Sequence, residues 1–592
     1  KLKLIWDAKP LKVSRFSDLK KRTWRLTREV LLQTGVIRAR PWVGVMHAFV
    51  FWGFIAFSVE TLNHFAKFVG LEFLSPNSAY RTIFLTVASL FTLFGISALM
   101  IRRFVFRPKA LGKLSYSSGV VALFIIVLMV TFLLGFRLPD NSPEGRINWW
   151  VHSLMILGFL ALIPRSKHLH IILGPFAVFF KSFEIADVPE LDFEKEEFGL
   201  TTYGDLDKKN VLDVFSCVEC GRCQDRCPAF ATGKKLDPKQ IVLDIRDGLL
   251  GNKSDADIVG SGVSPEVLWD CTTCGACEDI CPVGIEHLPL IIGMRRGQVA
   301  VGDVSDKAAT VLNALERGNN PWQMPVDAEA IRQLHIPPFE KEMAETGMLL
   351  WTSCAGMVDD RYRKVMAATA ELLTAAGVRF GTIETPHNCG GDLARRLGND
   401  MVFQQLATEN IQLLKSLGVT KIITTCPHCL QTLRNDYRRL GANFTVLHHS
   451  EILRSLLAEG KLEIGKQANG KVTYHDPCYL GRYNGTYDQP REIIKACGAE
   501  LAELPRSRDN SFCCGAGGGQ MFLAEGKGPT INGERAKEIA GMAVKTVVTG
   551  CPFCLTMLKD GLTSLGNETT VEDIAEFLAK NLNRKEQPPP SP

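Results

Sequence analysis

No GxGxxG follows a strand and opens a helix anywhere in the 592 residues, so no flavin or nicotinamide site is evident. P-loop and hydrolase motifs are missing as well, and no cleavable signal pattern opens the chain. There is no excess of either charge: 68 basic residues face 63 acidic ones, for a net charge of +5. Nothing in that balance suggests a nucleic-acid binder. With 46% apolar and 22% charged residues, the chain is too apolar to be disordered. Its length suggests about four domains. Only Lys585–Pro592, with four prolines, reads as a disordered tail. The chain starts at Lys1 rather than Met, so further sequence is expected ahead of it.

Charge is also absent over four stretches: Trp42–Val59, Thr82–Ile101, Leu114–Phe136 and Ile147–Pro164. About 20 apolar residues cross ~30 Å of hydrocarbon. Four such stretches with basic clusters between them read as membrane spans rather than buried core helices. Residues 1–40 carry 12 Lys and Arg, and the loop between the second and third spans holds Arg102, Arg103, Arg107, Lys109 and Lys113. Arg165 and Lys167 follow the fourth span. The other two loops are poor in positive charge. The positive-inside rule therefore puts the N-terminus, the middle loop and everything after Arg165 in the cytoplasm.

Histidines mark the ends of spans one and four. His47 and His64 bracket the first; His152 opens the fourth, and His168 and His170 follow it. The two spans run antiparallel, so His47 falls level with His168 and His170, and His64 with His152. The separations are ~26 Å and ~27 Å along ideal helices. Two bis-histidine b haems, one near each face, fit this ladder through His47, His64, His152 and His170. His152 and His170 share a helix face if that helix continues, whereas His168 would be rotated ~160°. Pro164 can spoil the phase, and His47 and His64 are ~100° apart on theirs.

What the chain has in excess is cysteine, 18 in all. Cys217-x2-Cys220-x2-Cys223-x3-Cys227-Pro228 is followed by Cys271-x2-Cys274-x2-Cys277-x3-Cys281-Pro282. This run twice over is the two-cluster ferredoxin pattern, in which the fourth cysteine of each run serves the other [4Fe–4S] cube. Cluster one is expected on Cys217, Cys220, Cys223 and Cys281, and cluster two on Cys271, Cys274, Cys277 and Cys227. Structural zinc does not need this spacing, and disulfides do not suit a reducing compartment.

Beyond residue 345 the chain repeats itself. One copy has Cys354, Asn388-Cys389-Gly390 and Cys426-Pro427-His428-Cys429. The other has Cys478, Cys513-Cys514-Gly515 and Cys551-Pro552-Phe553-Cys554. The offset is 124 for the first cysteine and 125 for the others. Each CxxC follows an apolar β-branched run and precedes a helix-like segment, so both copies read as α/β with thiols gathered at strand ends. Cys497 is left over as a buried, inert thiol. His448 and His449 read as surface histidines. The glycines at 515, 517, 518 and 519 suit close backbone approach better than phosphate binding.

Copy two resembles the CCG domain of heterodisulfide-reductase catalytic subunits. The resemblance implies that Cys478, Cys513, Cys514, Cys551 and Cys554 hold a non-cubane iron–sulfur cluster and form the catalytic site. Copy one departs from that pattern at Asn388, which leaves Cys354, Cys389, Cys426 and Cys429 for a simpler cubane cluster. The order of modules, with Tyr474–Arg482 and Asn320-Pro321-Trp322, resembles the fused electron-transfer flavoprotein:(mena)quinone oxidoreductases of bacteria. The membrane part is similar to the gamma subunit of respiratory nitrate reductase, whose five helices carry haem ligands on the second and fifth. That likeness implies a fifth helix upstream of Lys1.

The expected architecture is multi-domain: a basic segment over 1–40, an α-helical transmembrane haem b domain over 41–183, an all-α, ferredoxin-like two-[4Fe–4S] domain over 200–300, twin α/β CCG domains over 345–460 and 470–582, and a tail over 583–592. The expected function is electron transfer between electron-transfer flavoprotein and a membrane quinone, menaquinone in particular, at the bacterial cytoplasmic membrane. The alternatives are a heterodisulfide or thiol reductase with a membrane donor, and a non-catalytic wiring subunit of a respiratory complex.

Overall fold

The computed structural model describes residues 1–583 except 72, 76, 109, 110, 113, 114, 140, 252, 253, 319, 326, 327, 385, 386, 388, 466, 467, 469, 524 and 527. The side chains of 64, 68, 328 and 330 also lie outside the description, as does the tail from 584. Two compact units emerge. One comprises Lys1–Ser182, Leu206–Asp225 and Ile280–Glu286; the other comprises Phe183–Asp205, Arg226–Asp279 and the chain from His287 onward.

The first unit is helical. Helices α1 (Pro41–Phe68), α2 (Leu85–Ile101), α3 (Tyr116–Leu134) and α4 (Pro143–Leu162) pack in sequence order. With the turns that extend them, they form four apolar segments of 19–27 residues, long enough to cross a membrane. Their starts are written locally: Ser115 and Ser142 cap α3 and α4 by accepting from Ser118 N and Gly145 N, and Pro41 and Pro143 occupy first helical positions. Small residues let α1 and α2 approach closely. A Cβ on Gly95 would lie 2.6 Å from Met46 O, and one on Gly53 would lie 1.9 Å from Thr92 Oγ1. The spans run past the charge-free windows, because Glu60 and Arg81 pair at 3.4 Å near the end of α1.

The fourth span does not continue unbroken to His170. It ends at Leu162, and two 3₁₀ turns, Ile163–Arg165 and Lys167–Leu169, precede α5 (His170–Phe180). Pro164 has no N–H to extend the helix, so the five-turn phase relation between His152 and His170 does not hold. Helix α6 (Lys208–Ser216) follows, opened by an Asp207–Asn210 capping box. A buried ion network ties it in: Lys209 Nζ lies 2.6 Å from Asp213 Oδ1, and Arg15 lies 3.1 Å from Glu286.

The second unit contains α7 (His287–Ala300) and two four-stranded parallel sheets. Strands β1 (Met348–Trp351), β2 (Phe380–Gly381), β3 (Lys421–Thr424) and β4 (Thr445–His448) lie in the order β2-β1-β3-β4. Strands β5 (Lys471–Tyr474), β6 (Glu500–Leu501), β7 (Thr546–Thr549) and β8 (Thr570–Asp573) repeat it as β6-β5-β7-β8. Register repeats too, with Thr424 opposite His448 and Thr549 opposite Asp573. The central strands are buried almost end to end, as parallel strands covered on both faces are. After β3 and β7 the chain turns at Cys426 and Cys551 into α8 (Pro427–Gln431) and α9 (Pro552–Ser564), each with proline at its first position. The cysteines thus sit at the carboxyl ends of the strands, where open α/β sheets place their ligands.

Candidate functional site

Cys217, Cys220, Cys223 and Cys281 all belong to the first unit. Ile285 N donates to Cys281 Sγ at 3.4 Å. Burial, reinforced by the neighbouring Cys220, pushes the Cys281 thiol up to about 11. The segment leading into α1 grips this set: Arg40 donates to Cys220 O at 3.2 Å, and Arg222 donates to Gly35 O at 3.0 Å and Val36 O at 2.7 Å. The turn after Cys281 lies on α5, where a Cβ on Gly284 would come 3.1 Å from Val178 Cα.

Cys227, Cys271, Cys274 and Cys277 belong to the second unit and line one cavity. Burial pushes the Cys271 thiol up to about 11. Arg295, on α7, is fully buried behind this loop and donates to Leu268 O, Cys271 O and Arg396 O at 2.6–3.0 Å and to Gly518 O at 3.3 Å. The glycine cluster presses on the same loop. A Cβ on Gly517 would sit 2.3 Å from Thr272 O, and one on Gly518, at φ +62°, 2.3 Å from Cys271 O. The Cys274 and Cys513 thiols lie within hydrogen-bonding reach of each other.

In copy two, Cys554 Sγ and Cys514 Sγ are 3.3 Å apart, and Gly515 N donates to Cys513 Sγ at 3.3 Å. All five cysteines of this copy are buried. In copy one, Cys354, Cys389, Cys426 and Cys429 line a cavity with Asp392, His428, Gly517, Gly518 and Phe553. Asn388 lies outside the described residues. Hydrogen bonds from its neighbours hold Cys514 well below the usual thiol range, while a hydrogen bond with Cys513 and burial drive Cys478 well above it. Buried sulfurs this close cannot all ionise by themselves. A soft, cationic iron–sulfur group shared among them removes the conflict, so the donor sets fit such a group.

His428 joins the two copies. Its Nδ1 is 2.7 Å from Asp392 Oδ2, and it hydrogen-bonds Cys551. Burial opposes ionisation of Cys551, but hydrogen bonds from Cys554 and His428 outweigh it and bring the thiol down to about 5. The His428 ring stacks on Tyr479 at 3.9 Å, Tyr479 stacks on Tyr483 at 4.2 Å, and the Tyr479 hydroxyl meets Thr273 Oγ1 at 2.8 Å. Phe553 takes the place of His428 in copy two.

Among the membrane histidines, His47 Nδ1 is 2.9 Å from Gln33 Oε1, and His170 Nδ1 is 3.0 Å from Lys167 O. His152 Nδ1 is 2.7 Å from Thr131 Oγ1, whose proton goes to Val127 O at 2.7 Å. In each case Nδ1 carries the proton and Nε2 the lone pair, the tautomer that an iron ligand needs. His168 Nδ1 is 3.3 Å from Ser166 Oγ. The His64 side chain lies outside the described residues.

Contrary to expectation, His448 and His449 are not surface residues. Both are fully buried at the carboxyl end of β4, where His449 Nε2 meets Asp573 Oδ1 at 2.8 Å and His448 Nδ1 meets Ser450 Oγ at 2.7 Å. Cys497 is fully buried, and burial pushes its thiol up to about 12. Sequence reasoning passed over His428. The signal was present: it stands where the other copy has an aromatic residue, Phe553.

Family models match the chain at residues 213–285, as a 4Fe-4S dicluster domain, and at 348–434 and 472–559, as a cysteine-rich domain. The chain is 33% identical to the EtfAB:quinone oxidoreductase of Syntrophomonas wolfei, over 97% of this chain and 93% of that protein. It is 34% identical to the probable iron-sulfur-binding oxidoreductase FadF of Bacillus subtilis, over 91% and 89%. It is 29% identical to one component of the dihydromethanophenazine:CoB–CoM heterodisulfide reductase of Methanosarcina barkeri, over 64% of this chain and 97% of that component. With its four apolar helices, dicluster domain and paired cysteine-rich α/β domains, the chain belongs to the family of iron–sulfur oxidoreductases that includes the EtfAB:quinone oxidoreductase and FadF.

Proposed function

We propose that the chain passes electrons between an electron-transfer flavoprotein and a membrane quinone, menaquinone in particular. Iron–sulfur clusters in the four cysteine sets and b haems on His47 with His170 and His64 with His152 would supply the one-electron steps. The observation that carries the reading is the contact of Cys274 with Cys513, which brings the copy two thiols up against the second ferredoxin set. Cys223 and Cys227 are four residues apart, so at most ~14 Å of chain separates ligands of the two ferredoxin sets. The first set in turn rests on the segment before His47 and on the helix that His170 opens.

The residues around these sets fix geometry and exclude water. Arg295 and the glycine loop hold the second ferredoxin set against copy two, and Arg40 and Arg222 hold the first against α1. Five thiols make copy two the site of exchange with the soluble partner; Asn388 leaves copy one with four and the role of relay. The distribution of Lys and Arg supports a cytoplasmic position for the cysteine-rich part. Heterodisulfide or thiol reduction is the second reading, favoured by the five-thiol set of copy two.

The test is exchange kinetics with reduced electron-transfer flavoprotein. Cys514→Ser should abolish the exchange while leaving dithionite-reduced haem intact, and Cys389→Ser should slow it less. If Cys389→Ser is the more damaging and Cys514→Ser nearly silent, the two roles are reversed. Disulfide cleavage by the purified chain, with no exchange with the flavoprotein, would favour the second reading.

A further inference from the structure

His475, Cys514 and Cys554 place one donor atom each within 4.8 Å of one another, an arrangement that looks like three ligands of a metal. The tautomer of His475 argues otherwise. Arg535 Nε donates to His475 Nδ1 at 3.1 Å, and a guanidinium has no acceptor. Nδ1 therefore carries the lone pair and Nε2 the proton. Arg535 cannot swing away, because it is fully buried and its Nη1 is held by Arg506 O at 2.9 Å and Glu538 Oε2 at 2.7 Å. The histidine backbone is fixed as well, donating to Val548 O at 2.9 Å and accepting from Thr549 Oγ1 at 3.3 Å. His475 is 1% exposed, and its Nε2 has no protein hydrogen-bond partner among the described residues. A buried N–H aimed at nothing is costly; the groups gathered beside this ring are the Cys514 and Cys554 sulfurs, within 4.8 Å.

We propose that His475 is a fixed, neutral hydrogen-bond donor to the sulfurs of the copy two iron–sulfur group, and that it sets the reduction potential there without ligating iron. The proposal rests on copy two holding such a group. An N–H···S bond strengthens as negative charge builds on the sulfurs, so it favours the reduced form. One electron arrives and one leaves; no bond is made or broken and no proton moves. Releasing the Nε2 proton would leave an imidazolate, and adding one at Nδ1 would set it against Arg535. His475 is thus a positioning residue that holds its proton. In copy one the equivalent position is Trp351, also buried, with a donor-only indole N–H that has no partner among the described residues. Both copies therefore carry an N–H donor three residues before their first cysteine.

The experiment is an EPR-monitored redox titration of the purified full-length protein, labelled with ¹⁵N-histidine, with iron quantified in every variant. His475→Phe should keep the wild-type iron content. It should shift the one-electron equilibrium of one centre about tenfold toward the oxidised form, which is about 59 mV. His475→Gln, which retains an N–H, should recover at least half of that shift. Pulsed EPR should show a weak ¹⁵N coupling and an exchangeable proton in the wild type, both absent from His475→Phe. A strong ¹⁵N coupling, an unchanged potential in fully loaded His475→Phe, or loss of iron in both variants would each overturn the proposal. A Cys514→Ser variant that keeps every EPR signal would instead sink the copy two reading, and the role of His475 with it.

Discussion

Replacing Arg295 by methionine is the sharpest test of how the dicluster segment is fastened to the cysteine-rich repeat. The guanidinium satisfies four buried carbonyls, those of Leu268, Cys271, Arg396 and Gly518, and lies 5.3 Å from the Trp269 ring. At about 1 kcal/mol for each carbonyl left without its partner, the four amount to about 4 kcal/mol. Relief of the buried charge offsets part of this, since burial already lowers the Arg295 pKa. The loss of the contact with Trp269 adds to it. A net loss of about 3–5 kcal/mol is expected, the range found when one partner of a buried charged contact is removed. Iron–sulfur proteins often unfold irreversibly, so the readout is a rate. The half-time of iron release to a chelator at fixed urea should fall about a hundredfold or more if the whole effect falls on unfolding. Arg295→Lys, a point charge without the fork, should fall between. Iron release from Arg295→Met within threefold of wild type, at equal starting iron, would refute the reasoning.

His47→Ala or His170→Ala should remove the haem nearer the first ferredoxin set, and His64→Ala or His152→Ala the other, as read by pyridine haemochrome content; full haem in all four variants would end the histidine assignment. Gly95→Leu should force α1 from α2, because even a Cβ there would meet Met46 O at 2.6 Å, and should cut the yield of folded protein in mild detergent severalfold; normal yield and haem content would show that the helices do not pack so closely. The two hydrogen bonds from Arg491, at 2.6 Å and 2.8 Å, hold Glu503 below the usual carboxylate range. Its folded pKa is depressed, so its contribution is present above the unfolded value of about 4.3 and lost as pH falls through the folded one. Glu503→Gln should therefore be less stable than wild type at pH 6 and indistinguishable from it near pH 2, measured by urea unfolding; a constant difference across that range would rule the ion pair out as the cause.

Cysteine spacing made the dicluster and cysteine-rich domains legible, because each domain sets its thiols at fixed offsets along the chain. The spans were legible from absence of charge, but not their ends: Glu60 and Arg81 sit within the helical hairpin by pairing with each other, a cancellation that no hydropathy window detects. Pro164 signalled a break without saying whether the chain would kink or stop; it stops, and 3₁₀ turns carry it to His170. His448 and His449 misled because a polar pair at a strand end looks solvated until Asp573, 124 residues away from His449 in sequence, is seen beside it. The tautomer of His475 was out of reach for the same reason, since it depends on Arg535 arriving from a distant helix.

The repeat of strand order and register has a consequence for how such a molecule changes over generations. Two copies on one backbone plan differ near their thiols at positions that include Trp351 against His475, Asn388 against Cys513 and His428 against Phe553. Each pair is a single codon's decision, taken without disturbing the sheet beneath it. Divergence of electron affinity between the halves can thus accumulate by point substitution.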